Sequence, residues 1–209
     1  NPAAPAMDTA FVENGIGNRI AGIHAGVVPL SDGRLLALGR SDAIDGRMPA
    51  SQSDDGGRSW RYRASEFPPI SGGQRLVLLR LREGPLLLIS FTDEATCWPH
   101  PRRPEFPTAA PRGLELVDGS GGIDRCYGMF AALSYDDGSS WPVKRLVAPA
   151  AGERQLDGGG WTGPFTWSPT TAEPKGYLAA TQALDGRIHV LSSRLHYCFN
   201  QAWIEDANR

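Results

Sequence analysis

Apolar and polar positions along the chain fall into short runs broken by turn residues, and no long stretch carries a helical period. Ala25 to Leu30 leads into Ser31-Asp32-Gly33 and then Arg34 to Gly39. Leu76 to Leu81 leads through Arg82-Glu83-Gly84-Pro85 into Leu86 to Phe91, and Tyr177 to Leu184 leads through Asp185-Gly186 into Arg187 to Ser192. β-rich runs on both sides of a Gly-containing turn predict a hairpin in each case. Further strands are predicted over Trp60 to Arg63, Trp141 to Val147 and Leu195 to Ile204. Two stretches, from about Thr92 to Asp124 and from Ala148 to Pro174, read as long irregular loops. The longest apolar run, Gly84 to Phe91, has strand length and falls far short of the roughly 18 residues of a membrane span.

Two segments of this pattern repeat. Residues 53–60 read Ser-Asp-Asp-Gly-Gly-Arg-Ser-Trp and residues 134–141 read Ser-Tyr-Asp-Asp-Gly-Ser-Ser-Trp. Ser53, Asp55, Gly57, Ser59 and Trp60 thus match Ser134, Asp136, Gly138, Ser140 and Trp141. The residue types suit a tight hairpin: the Asp bonds the amides of the turn that follows it, and the Gly takes positive φ. The hydroxyls add local bonds and the Trp anchors the turn on a neighbouring sheet. This is the Asp-box, and it resembles the repeat of the sialidase (neuraminidase) superfamily of β-propellers.

The resemblance implies an all-β fold, a β-propeller of four-stranded antiparallel blades. It divides the chain into a blade at about 20–67, a second at about 74–147 with a long insertion at 92–124, and an incomplete third at about 175–205. Closed propellers have four to eight blades. Three blades correspond to the C-terminal half of a six-bladed domain, so the ring is expected to be closed by an N-terminal half or by a second copy of the chain.

Composition agrees with this picture and excludes others. The 25 Gly and 17 Pro in 209 residues are the punctuation of a turn-rich β protein. A net charge of −2 offers no general field for a polyanion, which excludes nucleic acid as a partner. Cys97, Cys126 and Cys198 lack the close spacing of a metal knuckle and allow at most one internal disulfide. No metal site and no cofactor is expected, since no ligand spacing, phosphate-binding Gly-Lys pair or Gly-x-Ser-x-Gly elbow is present.

The candidate chemistry lies at strand ends. His24 and Arg40 open and close the first hairpin, Arg75 starts the next unit, Arg125 precedes the strand into the second Asp-box, and Tyr177 enters the third unit. Arginines around one pocket clamp a carboxylate bidentately, and a tyrosine beside a base serves as a nucleophile. Sialidases hold the sialic acid carboxylate with three arginines and use a Tyr nucleophile paired with a Glu, plus an Asp acid/base. The stretch Ile23 to Arg40 looks like the family's Asp-Gly hairpin ending in its second arginine, which puts Arg40 in that role and His24 at the Glu position. Tyr177, eight residues before Asp185-Gly186, matches the nucleophile; Arg125 is the nearest match to the third arginine, with Arg75 the other candidate. The first arginine and the Asp acid/base belong to earlier blades and have no counterpart in this stretch.

The implied function is an exo-acting, sialidase-like glycoside hydrolase whose partner is an acidic oligosaccharide or glycoconjugate, a substrate that favours a secreted or periplasmic setting. A His in place of the Glu titrates near neutrality but brings no negative charge. That departure also suits a polysaccharide lyase or another uronic-acid-directed glycosidase with a His/Tyr pair, or a non-catalytic glycan-binding propeller. Trp98 in the first long loop stacks on a sugar ring or belongs to a disordered insertion, Trp161, Phe165 and Trp167 in the second form a sugar platform or cover a hydrophobic blade face, and His189 and His196 read as structural or rim residues.

Overall fold

The computed structural model describes residues 23–40, 44–70, 73–92, 114–160 and 162–206, and they form a mostly β molecule of several antiparallel sheets. The first sheet is a four-stranded meander of β1 (Ile23–Pro29), β2 (Leu35–Arg40), β3 (Pro49–Ser53) and β4 (Arg61–Ala64), in that order. Its first turn closes where the Leu30 amide donates to the Arg34 carbonyl at 2.7 Å, with Gly33 at φ +87°.

Between this sheet and the next come the two residues of β5 (Gln74–Arg75). The second sheet pairs β6 (Val77–Arg80), β7 (Leu86–Phe91), β10 (Met129–Ser134) and β11 (Val143–Leu146). Every residue of β7 and β10 is buried, which explains why their sequences read as continuous apolar runs rather than an alternation. The stretch 92–124, expected to be irregular, carries a hairpin at its end: β8 (Leu114–Val117) and β9 (Ile123–Cys126) extend the sheet to six strands, β8 lying parallel to β11. The turn between them closes on Asp118, whose carboxylate accepts from the amides of Ser120 and Gly122.

The second expected loop, 148–174, also holds a hairpin, β12 (Arg154–Asp157) with β13 (Pro164–Trp167). Beyond it, the predicted strand Tyr177 to Leu184 is split. Its start, β14 (Gly176–Tyr177), pairs in parallel with β5, while β15 (Ala179–Gln182) forms the third sheet with β16 (Ile188–Leu191) and β17 (His196–Phe199). The predicted strand to Ile204 stops at Phe199. Asn200 accepts a hydrogen bond from the Trp203 amide at 2.8 Å and caps a short helix, α1 (Gln201–Glu205).

Both Asp-boxes fold as the residue types require. Asp55 Oδ1 accepts from the amides of Arg58 and Ser59 at 2.9 Å, Ser53 Oγ accepts from the Gly57 amide at 2.8 Å, and Trp60 Nε1 donates to the Gly57 carbonyl. In the second box Asp136 accepts from the amide and hydroxyl of Ser140, and Ser134 Oγ accepts from the Gly138 amide. Trp141 is buried edge-on against Phe67 at 5.4 Å, and Phe67 stacks on Phe130 at 5.7 Å, joining the first sheet's exit to the second sheet. β6 contacts both β1 and β15. The approach of β1 to β6 requires Gly26: a Cβ there would stand 2.7 Å from Leu78 Cβ.

No closed barrel or ring is formed by the described residues, and none of their helices is long and apolar enough to cross a membrane. Cys126 is a buried free thiol and Cys198 an exposed one. Cys97, Trp98 and Trp161 lie outside the described residues.

Candidate functional site

The first two strands approach the site through a register shift. Ile23 pairs with Arg40, but the next pair is Gly26 with Leu38, so His24 and Ala25 are accommodated in a bulge. His24 adopts φ +51°, a left-handed conformation that a bulky L-residue holds only when its surroundings impose it. The bulge turns the imidazole out of the regular strand alternation, and His24 is exposed. Arg40, the last residue of β2, is only 6% exposed.

The parallel pairing of β5 and β14 brings a residue from a third part of the chain to the same place. Tyr177 stands opposite Arg75, held by bonds from the Gly176 amide to the Gly73 carbonyl at 2.9 Å and from the Leu178 amide to the Arg75 carbonyl at 3.3 Å. The buried Gln74 side chain donates to the Pro174 carbonyl at 3.0 Å, and Ser193 Oγ accepts from the Tyr177 amide. Tyr177 itself is 42% exposed.

These supports bring four of the predicted residues together. Arg40 Nη2 lies 3.5 Å from Tyr177 Oη, and the guanidinium carbon lies 5.5 Å from the Tyr177 ring centroid. The His24 ring centroid is 6.1 Å from that of Tyr177, with the rings inclined by 57°. Arg40 chiefly, with loss of water and then Arg75, holds the His24 imidazole below its ordinary range, so it is neutral at neutral pH and able to accept a proton.

The cluster is short of negative charge. Among the described residues neither Arg40 nor Arg75 has an ion-pair partner, and the buried Nε of Arg40 has no hydrogen-bond partner. A buried guanidinium with an orphan donor is costly unless an anion completes it. A planar carboxylate fits that need through paired N–H donors.

Other predicted residues stand elsewhere. Arg125 is exposed on β9, opposite Glu115, on a different hairpin from the cluster. The two Asp-boxes occupy the β3–β4 and β10–β11 turns, where their polar groups are spent on the turns themselves.

Behind Tyr177 lies a carboxyl group that the sequence did not single out. Glu173 is fully buried and accepts from Tyr197 Oη and from Ser192 Oγ, both at 2.9 Å. Burial pushes its carboxyl up to about 7, against the opposing pull of those two donors. Its Oε1 would stand 3.5 Å from a Cβ at Gly176, immediately before Tyr177. Its only sequence signal was a charged residue in a stretch read as loop.

No protein-family model matches the chain, and no curated protein matches it. Among solved structures it is similar to the crystal structure of a protein of unknown function from Dyadobacter fermentans DSM 18053, with 16% identity over 83% of this chain and a TM-score of 0.44. The chain spans 35% of that protein's length.

Proposed function

We propose that this chain is part of a sialidase-like β-propeller that binds a carboxylate-bearing glycan at His24, Arg40, Arg75 and Tyr177 and acts on it as a glycoside hydrolase, removing a terminal sialic acid. The observation that carries the reading is the buried Arg40 guanidinium, with no ion-pair partner among the described residues and an orphan Nε, set against the hydroxyl of the exposed Tyr177. The propeller reading is supported by the two Asp-boxes, one turning β3 into β4 and the other β10 into β11, and by the contacts of β6 with β1 and β15, the first strands of two further sheets. The ring is completed by an N-terminal half or by a second copy.

Arg40 and Arg75 hold the sugar carboxylate and so orient the ring over Tyr177. Tyr177 Oη attacks the anomeric carbon while neutral His24 accepts the phenolic proton, and the bond to the leaving oxygen breaks. That oxygen takes its proton from an acid outside these four residues, and water then cleaves the glycosyl–tyrosine bond.

One observation favours a second reading. Neutral His24 brings no negative charge to raise the nucleophilicity of Tyr177, yet it is unprotonated and can take a carbon-bound proton. With a uronate carboxylate on the arginines, His24 removes the C5 proton, the C4–O bond breaks, and Tyr177 donates its proton to the leaving oxygen, yielding an unsaturated sugar. A fluorogenic sialoside assay run beside an absorbance assay for unsaturated uronate separates the two. Arg40→Lys loses the bidentate geometry and lowers kcat/KM in the active assay by about 10- to 100-fold. Silence in both assays, with sialic acid or glucuronate still bound, makes the module a glycan-binding one; silence with no binding overturns the site.

A further inference from the structure

The third sheet carries a pair of histidines outside this site. His189 on β16 and His196 on β17 bring Nδ1 of the first and Nε2 of the second to 3.1 Å. The ring planes are within 5° of parallel and the centroids are 5.3 Å apart. That centroid distance exceeds the nitrogen separation by about one ring width, so the rings lie edge to edge in one plane, nitrogen facing nitrogen, rather than face to face. One donates and the other accepts a single shared proton. The ladder pairs His189 with Cys198, and Cys198 is two residues from His196 on the same strand, so all three side chains share one face of the sheet. The Cys198 thiol is free and exposed. Thr181, opposite His189 on β15, adds a hydroxyl to that face, and Arg187, two residues before His189, is paired with Asp185.

We infer that His189, His196 and Cys198 form a surface site for Zn2+, the ion taking the place of the shared imidazole proton, which moves to the outer nitrogen of the ring that held it, while the Cys198 thiol releases its proton to water. Imidazole and thiolate are the ligands this borderline-soft ion selects. Two nitrogens on a tetrahedral zinc stand about 3.4 Å apart, a few tenths of an ångström beyond their present separation, and each ring swings by about 35° to aim its lone pair at the ion. No three such side chains among the described residues are already gathered round one point, so Cys198 joins by turning its side chain toward His189, its cross-strand neighbour. A rigid two-stranded ladder supplies all three ligands, which keeps the ordering cost of binding low. The inference is independent of the glycan site.

Calorimetric titration of the full chain with Zn2+ tests it, with Co2+ as the spectroscopic probe. One equivalent binds the unmodified protein, and His189→Ala and His196→Ala each weaken it by more than the roughly tenfold that loss of even an outer-shell partner costs. Bound Co2+ shows tetrahedral d–d bands and a thiolate-to-metal charge-transfer band, and Cys198→Ser removes the latter while leaving weaker binding. The three positions are on the surface, so the circular dichroism of the variants matches that of the parent. Absence of binding, or binding undiminished in the His189→Ala/His196→Ala double variant, overturns the site. A charge-transfer band that survives Cys198→Ser overturns the assignment of the thiolate.

Discussion

The two Asp-boxes share a sequence but not a setting, and one substitution at the same box position separates the two. Gly57 and Gly138 have φ of +92° and +81°, so an alanine at either position bears the left-handed strain of an L-residue, about 1–2 kcal/mol. At Gly57 a new Cβ meets nothing closer than Leu35 Cδ1 at 3.5 Å, an ordinary contact. At Gly138 the Cβ stands 2.5 Å from Leu36 Cδ2, and Leu36 is 2% exposed within the core. A side-chain end usually gives way, but this one is packed on all sides, and overpacking of this kind costs about 1–3 kcal/mol more. Gly138→Ala therefore destabilises by roughly 1–3 kcal/mol more than Gly57→Ala, a further fall in Tm of about 2–12 °C for a chain of this size. Urea unfolding followed by tryptophan fluorescence reads the difference as a shift in midpoint at unchanged slope. Leu36→Val removes the clashing atom, so the excess cost of Gly138→Ala shrinks in that background. Equal losses at the two glycines, or an excess that Leu36→Val leaves untouched, refutes the packing argument.

Two further predictions concern charge. The folded-state carboxyl of Glu173 lies at about 7, above its unfolded value, so the native state retains a proton that the unfolded chain releases, and stability falls as pH rises from about 4.5 to 7. Glu173→Gln abolishes that slope in denaturation measured across the interval; an unchanged slope contradicts the assignment. Asp136, held below the usual carboxylate range chiefly by the Ser140 hydroxyl, contributes stability that is complete above about pH 4 and is lost as pH falls. Asp136→Ala costs about 1–2 kcal/mol at neutral pH after solvent screening, and the variant's stability declines less steeply than the parent's below pH 4.

Much of this fold was legible because its signals are local. The turns at Ser31-Asp32-Gly33 and Gly84-Pro85 and both Asp-boxes depend on residues within a few positions of one another, and each sits where the pattern predicts. The errors arise where distant pairing decides. Tyr177 looked like the start of a hairpin strand, yet Gly73 and Arg75 draw it into a parallel pair a hundred residues away. The stretch to Ile204 is apolar enough for a strand, but Asn200 supplies a cap that turns it into a helix. The hairpins at 114–126 and 154–167 have short, weakly alternating strands that only their sheet partners identify. In the site, His24, Arg40, Arg75 and Tyr177 were each visible as residues, whereas the bulge that exposes His24 and the burial that leaves Arg40 unpaired are properties of register and packing. The His189–His196 pair shows the same limit, since seven residues of separation carry no meaning until the strand register is known.

The central claim is that the unpaired arginines beside Tyr177 receive a sugar carboxylate. NMR titration of the His24 imidazole with sialic acid and with glucuronate, each beside its methyl ester, tests it most directly. In the free protein His24 titrates below the ordinary histidine range because of Arg40 and Arg75. A bound carboxylate offsets those charges, so the account predicts that at least one of the free acids raises the His24 pKa, that its ester does not, and that Arg40→Met removes the response. Acid and ester binding equally well, or an imidazole unmoved by saturating amounts of either acid, contradicts the account.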